Sequence, residues 1–144
     1  MYQHHQIGDQ EISLHDCRTE RICLHGRTLT FFFANGFFRP TEEGAEWQRT
    51  GNARMECHLC EPGEIGMDVT KYRKNRRGQT VCEDMTRSFL SAVNSGAYEF
   101  EFITVFKAYQ TFLFCGCLWN EKPPYSTDCD IQLRCDEVRF FWND

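Results

Sequence analysis

The stretch YEFEFITVFKAYQTFLFCGCLW, residues 98–119, decides the fold. Tyr98, Phe100 and Phe102 alternate with Glu99 and Glu101, and a period of two is the signature of a strand. After a break at residues 108–110, Thr111, Leu113, Cys115, Cys117 and Trp119 share one side of a second strand. Phe112, Phe114 and Leu118 occupy its other side, so the spacing predicts a hairpin whose second strand is buried on both faces under another layer. In that reading Cys115 and Cys117 are core residues, because they share a face with Leu113 and Trp119 and free cysteine is among the most buried residue types.

Working outward, the preceding segment has the pattern of a helix. Thr80 and Glu83 stand at capping-box spacing, and Met85, Phe89, Ala92 and Val93 make an apolar stripe. Gly96 stands where a C-terminal cap belongs. A helix over about residues 83–95 follows. After the hairpin, Pro123 and Pro124 mark a loop, and Cys129, Ile131, Leu133 and Cys135 alternate with Asp130, Gln132 and Arg134 as a further strand. Val138 to Trp142 is a candidate hairpin partner for it.

Toward the N-terminus, Cys17 to Leu24 and Thr28 to Ala34 read as strands around a His25-Gly26 turn. Asn35-Gly36 is a strong hairpin signal, since both central residues of a type I′ turn need positive φ. It predicts a third strand from Phe37 that ends at Arg39-Pro40. Thr41 to Asn52 reads as a loop, Arg54 to Cys60 and Ile65 to Tyr72 as strands about a Pro62-Gly63 turn, and residues 1–11 as a loose leader. Connections this short favour antiparallel pairing. The expectation is one α+β domain over residues 1–144, mostly antiparallel β. About eight strands form a sandwich or partly open barrel with one covering helix.

With 144 residues, 13 Phe, 5 Tyr and 3 Trp, the chain can build a dense core without cross-links. Residues 1–10 hold no apolar export signal and no apolar run approaches the roughly 18 residues of a membrane span, so a cytoplasmic location without membrane contact is expected. In that compartment the nine cysteines stay reduced. A formal net charge of −5 disfavours a general nucleic-acid role and favours a basic protein partner.

Four candidate groups carry chemistry. Cys57, Cys60, Cys115 and Cys117 could supply four thiolates to a tetrahedral zinc site, making the chain a small zinc-binding module. Against this, residues three apart on a strand point to opposite faces. His15-Asp16 could act as a base with its orienting carboxylate, although strand neighbours face opposite ways. Lys71, Arg73, Lys74, Arg76 and Arg77 read as a solvated hairpin tip or as an anion or partner contact with Tyr72 as the one interleaved aromatic. Asp9, Glu11, Asp16, Glu20, Glu42, Glu43 and Glu46 could form one acidic surface for a basic partner. No GxSxG, HExxH, P-loop or Rossmann glycine pattern is present, and no catalytic residue is assigned.

The series Leu14-His15-Asp16-Cys17, Ile22, Gly26, Leu29, Phe31 to Phe33 and Asn35-Gly36-Phe37 resembles the opening of a group of small bacterial proteins with a Leu-His-Asp start. Some of these resemble immunity proteins that neutralise toxins of contact-dependent competition. The likeness covers about a quarter of the chain. It implies a bacterial cytoplasmic origin and a binding role, and it transfers no catalytic residue. The sequence therefore points to a non-enzymatic protein that binds a macromolecular partner.

Overall fold

The computed structural model describes residues 1–7, 12–44 and 46–144. In chain order these form β1 (His4–Ile7), β2 (Cys17–Thr19), β3 (Arg21–His25), β4 (Thr28–Phe33), β5 (Phe38–Pro40) and β6 (Trp47–Arg49). Then come β7 (Ala53–Leu59), a 3-10 turn (Gly63–Gly66), β8 (Met67–Lys74), β9 (Thr80–Asp84) and α1 (Phe89–Asn94). The chain ends with β10 (Glu99–Ala108), β11 (Thr111–Trp119) and β12 (Ser126–Trp142). The result is mostly antiparallel β with one helix, as its alternating sequence predicts.

The long strand β12 organises the molecule. Its first half pairs with β11 on one edge, from Trp119↔Ser126 to Thr111↔Arg134, and with β8 on the other. Its second half pairs with β7 and β1. A register shift between Cys135 and Glu137 separates the halves, and an extra residue on one strand bends it. One strand thus serves two layers. The first layer runs β2-β10-β11-β12-β8-β9, and the second runs β1-β12-β7-β4-β3.

The inner faces meet in an aromatic core. Phe102 of β10 lies with ring centroids 5.5 Å from both Phe31 and Phe33 of the opposing layer, 4.8 Å from Phe100 and 5.3 Å from Phe114. At one side the chain passes between layers at the β2–β3 corner, where the buried Thr19 hydroxyl lies 2.9 Å from the Arg21 carbonyl and 2.8 Å from that of Phe32. The helix closes this side. Phe89 and Val93 are fully buried. Asn94 accepts from the Ile22 N–H at 2.8 Å and donates to its carbonyl at 2.7 Å, which covers backbone groups of the edge strand β3.

Several expectations are corrected. Residues 80–84 form a strand, not a helix start: Thr80 receives Lys74 Nζ, and Glu83 receives Lys71 and Arg73, all across the β8–β9 pair. The helix is correspondingly short, at 89–94 rather than 83–95. The leader contains β1, paired from His4↔Trp142 to Ile7↔Arg139. Gly36 makes a turn at φ 69° with its N–H on the Phe33 carbonyl, but Asn35 is not at positive φ. No β4–β5 hairpin forms there; β5 pairs with β6, inside the expected loop. Val138–Trp142 continues β12 instead of folding back on it.

The outer face of the first layer

Alternation along β12 puts Cys129, Ile131 and Leu133 into the core and turns Asp128, Asp130 and Gln132 outward. The same rule on β11 buries Phe112, Phe114 and Leu118 and turns Cys115, Cys117 and Trp119 outward, where they are half-buried. Strand register then aligns these side chains in rows across the layer. One row reads Arg18, Glu101, Cys117, Asp128, Tyr72 and Cys82; its neighbour reads Cys115, Asp130, Thr70 and Asp84. A shallow depression of about 380 Å³ lies between Tyr72, Ile103, the two cysteines and the two aspartates.

The Tyr72 hydroxyl donates to Asp130 at 2.9 Å, and Cys117 Sγ lies 3.9 Å from Asp128 Oδ1. Donating this bond holds the phenolic proton and pushes Tyr72 up to about 12, with lesser contributions from desolvation and the Asp130 charge. The thiols respond alike. Partial burial first, then the hydrogen bond to Asp130 and its charge, pushes Cys115 up to about 11. Cys117 is raised by burial and then by Asp128 and Glu101. At neutral pH this face therefore presents protonated, weakly nucleophilic thiols beside its aspartates. At its margin Arg18 lies over the Trp119 ring at 4.6 Å and 3.4 Å from both Glu99 and Glu101. Trp119 Nε1 donates to Glu101.

Cys115-Gly116-Cys117 owes its glycine to packing. A Cβ on Gly116 would sit 2.0 Å from the Glu101 carbonyl oxygen and 2.8 Å from Phe100 Cζ. The two cysteines are thus outward neighbours of an obligatory glycine, and their predicted place in the core is corrected: nothing covers the outer face of β11 among the described residues. Cys57 lies on the opposing layer, fully buried and hydrogen-bonded to Cys135, which together with burial raises it well above the usual thiol range. Cys60 is half-buried just beyond β7. The structure does not bring the four proposed zinc ligands together, since Cys57 points into the core and Cys115 and Cys117 point away from it.

The other sequence candidates separate as well. Lys71 and Arg73 are ion-paired with Glu83, and Lys74 Nζ donates a hydrogen bond to the Thr80 hydroxyl, while Arg76 and Arg77 stand exposed at the hairpin tip. His15 and Asp16 do meet, Nε2 to Oδ2 at 3.3 Å, because Asp16 sits at φ 60° in a turn before β2 and not in a strand. The His15 ring also lies 2.8 Å from the Ile103 carbonyl. Of the acidic set, Glu42, Glu43 and Glu46 are exposed around the β5–β6 connection, Glu20 lies at the β2–β3 corner, and Asp9 and Glu11 fall outside the described residues. Asp128, Asp130 and Trp119 went unassigned as a site because their juxtaposition depends on register between strands; the alternation at 129–135 was the available signal.

The outer face of the second layer differs. Register aligns Arg21, Phe32, Arg54, Phe141 and His5 in one row across five strands. Arg21 lies over Phe32 at 4.4 Å, and Arg54 over Phe141 at 4.3 Å and Tyr2 at 4.8 Å. His58 is 2.7 Å from Asp136, and Arg139 is paired with Glu137. Here most cations already have partners.

No family model, curated protein or solved structure matches the chain. Among the described residues no helix is long and apolar enough to cross a membrane.

Proposed function

We propose that this protein acts by binding, without catalysis, a basic protein partner on the outer face of its first layer, in the manner of an immunity protein that neutralises a basic toxin. One observation carries the reading. Asp128 and Asp130 stand on alternate positions of a central strand, flanked by Tyr72 and Trp119, with hydrogen-bonded neighbours and, among the described residues, no ion pair. Partly exposed carboxylates beside aromatic rings suit guanidinium and ammonium groups of a partner. Central strands paired on both edges hold these groups in place before binding, which limits the ordering cost.

The test is capture from cell extract at about 0.1 M salt, comparing the wild type with the Asp128→Asn/Asp130→Asn double variant. A basic protein retained by the wild type, lost from the variant and eluted near 0.5 M salt is the expected result. Equal capture by both proteins, or no basic partner above background, overturns it. Co-expression with the captured partner then tests the immunity reading: protection from its toxicity supports neutralisation, and unchanged killing leaves binding without immunity.

A further inference from the structure

Below the free end of the β10–β11 hairpin, a cavity of about 210 Å³ lies between the two layers. Its floor is made by Met55, Phe114, Val138 and Phe140, all buried, and its mouth by Ile12 and Val105. Among the described residues every lining side chain is apolar. The space arises because β10 and β11 run on past the opposing layer: residues 104–110 are all exposed, and Val105, at 37 % exposure, forms a rim instead of a lid.

Close-packed interiors leave few voids larger than a water molecule. A cavity of this size has room for several waters, but a well-held water needs two to four polar partners, and here only main-chain groups are on offer, since the lining side chains supply none. Apolar cavities of about 150 Å³ bind benzene-sized molecules for this reason. The surrounding atoms lack contacts that a ligand of carbon and hydrogen would restore. A charged ligand would lose its hydration with no polar or charged side chain among the described lining residues to replace it.

We propose that this cavity is a binding site for a small uncharged apolar molecule, about one or two aromatic rings in bulk, entering past Val105. The site lies between the layers and does not depend on the carboxylates of the outer face. The exposed rim provides a path that requires no opening of the strand ladders.

The test is titration of the whole protein with para-xylene, followed by the methyl resonances of Met55 and Val138, with para-methylbenzoate as the charged counterpart of the same shape. Saturable shifts with para-xylene and none with para-methylbenzoate are expected. Val105→Trp plugs the mouth from an exposed position and should weaken binding at least about tenfold. Val138→Phe fills the floor and should do the same, with backbone spectra of both variants confirming the fold. Phe106→Ser, on the exposed hairpin end outside the cavity, should leave binding unchanged. No saturable shift up to the solubility limit of para-xylene overturns the proposal. So does an equal response to para-methylbenzoate, or binding that Phe106→Ser abolishes while both plugging variants retain it.

Discussion

The two outer faces of this sandwich are built from the same strand geometry and have opposite characters. On the second layer, Arg21 and Arg54 lie over the rings of Phe32, Phe141 and Tyr2, and Arg139 pairs with Glu137. On the first, Asp128 and Asp130 stand beside thiols and a tyrosine, with Arg18 engaged at the margin by Trp119, Glu99 and Glu101. A face whose charges are matched internally gains little from a partner. A face with unmatched carboxylates can gain more, because a cation delivered there replaces water without breaking an existing pair. Internal matching, not charge count alone, distinguishes the two faces.

Substitutions in the core and on each face test that contrast. The largest effect belongs to neither face. Phe102→Ala removes the ring that joins both layers and should cost about 3–5 kcal/mol in urea unfolding; a smaller loss would mean that the faces do not share one core. Next, Gly116→Ala drives a Cβ against the Glu101 carbonyl, and separating β10 from β11 should cost about 1–3 kcal/mol. Wild-type stability after this change would show that the outward Cys-Gly-Cys pair is not positioned by that contact.

Arg54→Ala tests the internally matched face, where lost stacking on two rings should lower stability by about 1–2 kcal/mol. Asp128→Asn with Asp130→Asn tests the other face and should change stability by no more than about 0.5 kcal/mol while removing partner capture. If thermal unfolding ranks these two variants in the reverse order, the comparison fails.

The thiols add a pH test. Cys17 is pushed up to about 11 chiefly by burial, Cys115 to about 11 and Cys129 to about 12, against an ordinary value of 9.0. Above pH 9 the unfolded chain releases these protons while the folded chain holds them, so stability is complete below 9 and declines as pH rises through 11–12. A flat urea midpoint from pH 8 to 11 would contradict these assignments. On Cys115 alone, Asp130→Asn removes an interaction that favours the thiol, lowering its pKa and raising its alkylation rate at pH 8, read from the modified peptide by mass spectrometry. Burial, the larger cause, remains, so the increase should be partial. Cys115→Ala with Cys117→Ala should likewise be mild, within about 0.5 kcal/mol, because both side chains are half exposed.

Much of the architecture was legible. Strong alternation in Tyr98–Phe102, Thr111–Trp119 and Cys129–Cys135 identified the three strands at the centre of the first layer, and the break at 108–110 located the hairpin turn. Phe89 and Val93 correctly marked the buried stripe of the helix. The Thr80–Glu83 spacing misled because i and i+3 side chains can also serve cross-strand partners, and Lys71, Arg73 and Lys74 on β8 supplied them. The candidate site was hardly legible at all. Cys115 and Cys117 were visible as residue types, but their aspartate neighbours lie more than ten positions away and meet them only through the β11–β12 register.

By itself the sequence determined the class of fold, the central hairpin and the side of each strand to which each residue belongs, because those follow from a local period of two. Which side faces the core and which faces water was decided by tertiary structure. A strand with apolar groups on both sides, such as β11, specifies two faces but not the number of layers that will cover them. β12, bending between Cys135 and Glu137, places the second layer over the phenylalanine side and leaves the cysteine side outside. Burial is a property of what packs against a surface, and local sequence contains only the surface.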